Sequence, residues 1–230
     1  MDKQGGQNTV LNQVADNSDK YNTIEKPSEG FLKDRGSKFH AYAYPITSIE
    51  EIENALLEVR KLHNKARHHC YAYRLGTDGN NFRANDDGEP SGTAGKPILG
   101  QIDSFGLTDV LIVVVRYFGG TLLGTGGLIQ AYKGGAGEAL NAAKVVEKTL
   151  KNRFRIHFDY SLMAPLMNAI KKLDLEVLSQ SFEASASITI AIPLSDTEKQ
   201  LNLLKASILG ISFDQVSVDT KIGGLKVVPL

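Results

Sequence analysis

At 230 residues, with 42% hydrophobic and 23% charged residues and a formal net charge of zero, the chain can bury two modest globular cores. The charge balance excludes whole-molecule attraction to nucleic acid, so any such binding must come from a local patch. Cys70, the only cysteine, excludes an internal disulfide framework and a cysteine-based zinc cluster, and fits a reducing compartment.

Residues 1–19 are polar and predict a disordered tail, and Met1–Gln13 lacks the apolar stretch of a secretory signal. No apolar run approaches the ~20 residues that cross a bilayer, so a cytoplasmic protein without a membrane partner is expected. Strand-like pieces, Tyr21–Ile24, Phe31–Leu32 and Lys38–Tyr44, are broken by Pro27, Gly30 and Gly36. Ser48 and Glu51 form a capping-box pattern ahead of a helix carrying Ile49, Ile52, Leu56, Val59 and Leu62 at helical spacing. His69–Leu75 reads as a strand and Gly76–Asn80 as a turn. Helices are expected over Thr93–Phe105 and Gly126–Ala142, on either side of a central strand, Val110–Tyr117, apolar on both alternating faces. Gly134, Gly135 and Gly137 weaken the second helix, and close packing on the sheet is their expected compensation.

After a boundary at Asn141–Lys151 the pattern restarts. Strand Phe154–Tyr160, a helix striped by Leu162, Leu166, Ile170 and Leu173, and strands Leu175–Phe182 and Ala184–Ile192 follow. Ser195 and Glu198 suggest a second capping box, for a helix ending at Gly210, and Ile211–Val218 reads as the closing strand. The order is β-α-β-β-α-β. The expected class is α+β, with domains over 20–145 and 146–220 and a tail over 221–230.

Two glycine-rich loops carry the polar chemistry. Asp86–Gly95 contains Asp86, Asp87, Glu89, Ser91 and Thr93; Arg116–Gly127 contains Arg116, Tyr117, Gly119, Gly120, Gly124 and Gly127. Both lead into helices, whose first N–H groups are ready anion donors, and glycine lets backbone approach a ligand closely. With His69, these residues form the candidate polar site: the acids and Arg116 set its charge, and the hydroxyls donate or cap. The competing reading is that Arg116 pairs with one of the acids to fix the loops. Gly119 and Gly124 have P-loop spacing, but Thr125-Gly126 stands where Lys-Ser/Thr belongs, so this is not a Walker A loop.

Lys38-Phe39, His69-Cys70-Tyr71-Ala72-Tyr73, the Asp86–Gly95 loop and Arg116-Tyr117-Phe118-Gly119-Gly120 with Gly124 and Gly127 resemble the YigZ/IMPACT family. The resemblance spans about Tyr21–Ala143. It implies an N-terminal domain like the second domain of ribosomal protein S5, with helices on one face of a mixed sheet, and a ferredoxin-like C-terminal domain. It assigns no biochemical activity to the bacterial members; eukaryotic IMPACT is a translation regulator acting through protein partners.

Two functions follow as expectations. One is a translation-associated factor binding RNA, the ribosome or a translation protein, without a cofactor. Lys61, Lys65, Arg67, His68 and Arg74, and at the junction Lys144, Lys148, Lys151, Arg153 and Arg155, could meet phosphates, while Tyr71, Tyr73, Phe82 and Tyr117 could stack on bases. The other is a phosphate- or nucleotide-binding enzyme in which Asp86, Asp87 and Glu89 hold Mg²⁺ and Arg116 clamps an anion. A metal or nucleophile site at His63, His68, His69 and Cys70 is disfavoured because neighbouring strand residues face opposite ways.

Overall fold

The computed structural model describes residues 19–182 and 186–230, so the tail expected over 1–19 lies, apart from Asp19, outside the described residues, as does Ala184 of an expected strand. The chain divides into two compact units, Lys20–Thr149 and, with Asp19, Leu150–Leu230.

The first unit runs β1 (Lys20–Ile24), β2 (Ser28–Asp34), β3 (Ser37–Pro45), α1 (Ile49–Leu62), β4 (His68–Leu75), β5 (Asn81–Asn85), α2 (Gly95–Ser104), β6 (Val110–Tyr117), α3 (Gly124–Asn141) and β7 (Val145–Thr149). Five strands form a sheet in the order β2-β3-β6-β4-β5, and β1 pairs with β7 in a separate ribbon. Every pairing in the five-stranded sheet is antiparallel, not mixed. Helices cover both of its faces, not one. The reason lies in β6, whose six leading residues are all apolar. Val110, Ile112 and Val114 pack with Phe39, Cys70 and residues of α2 and α3, while Leu111, Val113 and Val115 pack with Tyr42, Tyr71 and Ile52, Ala55 and Val59 of α1.

α1 begins as its sequence requires: Ser48 Oγ accepts from the N–H of Glu51 at 3.2 Å. The Glu51 carboxylate instead takes the Thr47 N–H, so the box is half formed. Close approach is found at Gly134, where a Cβ would meet Leu32 of β2 at 3.2 Å, and at Gly137, where it would meet Gln101 of α2 at 3.1 Å, but it is tightest on the opposing strand. A Cβ at Gly30 would overlap the α3 backbone at Glu138 and Ala139, whereas one at Gly135 would meet Phe39 and Val114 at an ordinary 3.6 Å.

The second unit runs β8 (Lys151–Phe158), α4 (Met163–Lys172), β9 (Glu176–Phe182), β10 (Ala186–Pro193), α5 (Thr197–Leu209) and β11 (Leu225–Pro229). Its antiparallel sheet has the order β11-β8-β10-β9. Phe154, Ile156 and Phe158 alternate into a core with Ile188, Ile190, Leu166, Ile170 and Leu204.

Two local expectations are corrected here. The closing strand is Leu225–Pro229, within the stretch read as a tail, and not Ile211–Val218. Ser212 and Gln215 form a capping box on a 3₁₀ turn at Phe213–Gln215, which takes up that backbone and leaves Ile211, Phe213 and Val218 exposed. Leu225 and Val227 reach the core instead. Ser195 does not cap α5: a 3₁₀ turn over Leu194–Asp196 intervenes, and the Ser195 N–H donates to the Asp19 carboxylate at 2.7 Å. The other end of α5 stops as expected, at Gly210 in the left-handed region with φ 66°.

Candidate functional site

The first glycine-rich loop is tied by Asp86. Its carboxylate accepts from the N–H groups of Gly92 at 2.8 Å, Ala94 at 2.9 Å and Gly95 at 2.8 Å. The free donors at the start of α2, which could serve an outside anion, therefore meet a carboxylate of the chain itself. Burial, which raises the Asp86 pKa, is outweighed by these three bonds and by Lys96, and the net shift is downward. Asp87 sits at φ 41° and accepts from the His69 N–H at 2.7 Å and from Arg60 at 3.1 Å. Thr93 Oγ1 donates to the Pro90 carbonyl at 2.7 Å, while Ser91 is exposed. A Cβ at Gly95 would overlap the backbone of Asn85, so this glycine lets α2 start against β5.

The two loops meet at Glu89 and Arg116, and their contact is closed. Arg116 Nη1 lies 2.7 Å from Glu89 Oε1, with both side chains buried, and the Tyr132 hydroxyl donates to the same oxygen at 2.8 Å. The guanidinium lies over the rings of Phe39 and Phe118, 5.7 Å from each centroid. Burial pushes the Tyr132 phenol up, and pushes the nearby Cys70 thiol up to about 12, which keeps that sulfur protonated and unreactive. Mg²⁺ does not fit this set: the oxygens it needs face backbone N–H groups, Tyr132, Arg60 and Arg116. Among the described residues no three His, Cys, Asp or Glu side chains are grouped to hold a metal ion.

Strand alternation divides the remaining residues. Tyr117, next to Arg116, turns to the α1 face together with His69, which pairs with Val115. His69 is buried, and among the described residues neither ring nitrogen has a hydrogen-bond partner, though Nδ1 lies 3.9 Å from the Asp87 carboxylate; burial followed by Arg60 lowers its pKa, against the pull of Asp87. Gly119 is packed against backbone, since a Cβ there would overlap Gly36 and Ser37, and its N–H donates to Ser37 Oγ at 3.1 Å. Gly120 and Gly124 take φ 87° and 70°, which explains their identity by conformation, and a Cβ at Gly127 would press on Leu123.

What stands open is beside the loops. A groove of about 500 Å³ is lined by Lys65, Arg67, His68, Tyr117, Phe118 and Leu122, together with Ala66 and the edge of Arg116. Phe118 is 60% and Leu122 82% exposed, and both line this one groove, so they form an apolar patch beside its cations. On the far side of Tyr117 and Phe118 a second hollow is lined by Gly36, Lys38, His40 and His63. No carboxylate lines either hollow among the described residues. Of the basic residues named from sequence, Lys65, Arg67 and His68 come together here, the His68 ring held with Nδ1 2.9 Å from the Asp87 carbonyl. Arg74 lies apart, paired with Asp103 at 2.7 Å and stacked over Phe82, while Lys144 and Lys151 pair with Glu25 and Glu176. Tyr71 is buried in the core. Phe118, Leu122 and His40 were missed as site residues; two-residue spacing from Tyr42 to His40 is the signal that places His40 on the Tyr117 face.

These features define an α+β protein of two compact units whose polar loops are tied mainly to each other and to their own backbone, with Arg116 Nε a buried donor that has no partner among the described residues, and whose open groove is cationic and aromatic. The family model described as the Impact N-terminal domain matches residues 35–140. An IMPACT family member of Haemophilus influenzae is 37% identical over 158 residues, covering 68% of this chain and 77% of that one. IMPACT family member YigZ of Escherichia coli is 35% identical over 171 residues, covering 66% and 84%. A crystal structure described as that of a hypothetical protein superimposes with a TM-score of 0.66 at 28% identity, covering 92% of this chain and 97% of that one. The chain belongs to the IMPACT family.

Proposed function

We propose that this IMPACT family member is a cytoplasmic, translation-associated regulatory factor that binds RNA through the groove beside Phe118. Its second unit is read as ferredoxin-like, on the element order β-α-β-β-α-β and the strand order β11-β8-β10-β9. Its first unit is read as a variant of the ribosomal protein S5 second-domain type. The translation assignment rests on family membership, and ribosomal RNA is a natural target for such a factor.

One observation carries the binding site. In a chain of zero net charge, Lys65, Arg67 and His68 share a groove without carboxylates, flanked by an exposed aromatic ring. Cations meet phosphates, and an exposed ring stacks on unpaired bases, worth about 1–3 kcal/mol per base. Arg116, fixed by Glu89, supports Phe118 from behind and so presents the ring to solvent.

Fluorescence anisotropy with a labelled single-stranded RNA tests this. Binding at low salt should weaken steeply as salt rises, by roughly one power of salt concentration for each phosphate contact. Lys65→Glu with Arg67→Glu should reduce both the affinity and that slope. A flat titration at low salt would contradict the reading.

A further inference from the structure

We propose that Lys38, His40 and His63, in the hollow adjoining the groove across Tyr117 and Phe118, form a phosphate-binding subsite. This deepens the RNA reading and rests on it for the strand that would supply the phosphate; a free nucleotide carries the same chemistry.

Three elements build the hollow. Lys38 and His40 lie two residues apart on β3 and so project to one face of the sheet. His63 caps the C-terminus of α1 and is held from both sides, with Nε2 2.7 Å from the Tyr42 hydroxyl and Nδ1 2.9 Å from the Tyr117 hydroxyl. A neutral imidazole has one donor and one acceptor nitrogen, so this ring is satisfied and oriented while uncharged. The His40 ring lies 5.1 Å from it, flanked by Phe31 at 4.9 Å and Tyr117 at 5.9 Å. Among the described residues His40 has no hydrogen-bond partner and Lys38 no ion-pair partner. Lys38 and the His40 ring are therefore the donors open to a phosphate in a hollow whose described lining holds no carboxylate, Glu29 on β2 standing outside that lining, while His63 holds the Tyr117 wall in place.

The groups facing the pair settle its charge. Burial and Lys38 push the His40 pKa down, and burial, His40 and His69 push that of His63 down, while Glu29 on β2 draws both upward. Tyr42 and Tyr117 are the remaining titratable neighbours. Both rings therefore rest neutral at pH 7.5. A bound phosphate favours the protonated form of His40, so binding takes up a proton and strengthens as pH falls.

The test uses the full chain and three probes: inorganic phosphate, a nucleoside 5′-monophosphate and a short single-stranded oligoribonucleotide. Ring-proton NMR of His40 is followed from pH 7.5 to 5.5 with each. The expected result is an upward shift of the His40 midpoint with bound ligand, and oligonucleotide binding about tenfold tighter at pH 6 than at pH 7.5, the scale of one proton taken up. His40→Asn should flatten that ratio to about twofold or less, while Lys38→Ala, an exposed change that spares the core, should weaken oligonucleotide binding at both pH values by removing a cation that meets the phosphate. A shift with the small probes assigns the subsite to free phosphates as well; a shift with the oligonucleotide alone assigns it to the strand. If no probe moves His40, if the pH ratio survives His40→Asn, or if Lys38→Ala binds as tightly as the parent, the subsite is overturned. Residual, salt-sensitive RNA binding at pH 7.5 in these variants, carried by Lys65 and Arg67, leaves the groove reading standing.

Discussion

Arg116 and Glu89 meet 2.7 Å apart on one face of the first sheet, while Tyr117, the next residue, opens onto the other. One strand end thus holds the loops together with one side chain and lines the open groove with its neighbours. Because the pair is buried, Arg116→Met should strand the Glu89 carboxylate and lower stability by about 3–5 kcal/mol, read as a lower urea midpoint. The double change Arg116→Met with Glu89→Leu should recover part of that loss. A single variant as stable as the parent would show that the pair does not hold the loops.

Asp86 makes the first loop sensitive to acid. Its folded pKa lies below its ordinary value, so its contribution is fully present above about pH 4 and is lost as pH falls through the folded value. Asp86→Asn should lose about 1–3 kcal/mol at pH 7 and show a shallower decline of stability between pH 4 and pH 2. Parallel urea titrations across that range check the sign; an equal acid limb in both proteins would remove Asp86 from the account.

Glycine substitutions separate close packing from mere helix weakness. Gly30→Ala and Gly119→Ala would drive a Cβ into backbone, at Glu138 and Ala139 and at Gly36 and Ser37 respectively, and should be strongly destabilising. Gly126→Ala, in the first turns of α3 with nothing within 4 Å, should instead stabilise by about 0.5–1 kcal/mol. Thermal melts of the three variants rank them directly.

Much of the fold was legible because periodicity speaks for buried elements. The apolar run of β6 announced a central strand, and Ser48 with Glu51 announced α1. The closing strand was misplaced because Ile211–Val218 alternates as well as Leu225–Pro229 does, and only the core decides which one is used. The candidate loops were legible as a pair, since Glu89 and Arg116 do come together. Their donors being satisfied from within was not, because a sequence does not say that Asp86 reaches forward to Gly92, Ala94 and Gly95. Phe118 and Leu122 carried no site assignment in the sequence, because their exposure beside Lys65 and Arg67 is set by the tertiary fold.

The central claim is that the ring of Phe118, beside Lys65 and Arg67, contacts RNA. The most direct measurement compares RNA affinity of Phe118→Ala with that of Phe82→Ala, which removes an equally exposed ring stacked on Arg74 in a different place. Loss of stacking on one or two bases should weaken binding by about 10-fold or more for Phe118→Ala and leave Phe82→Ala within about twofold of the parent. Equal affinities for the parent and Phe118→Ala, with both proteins folded, would contradict the account.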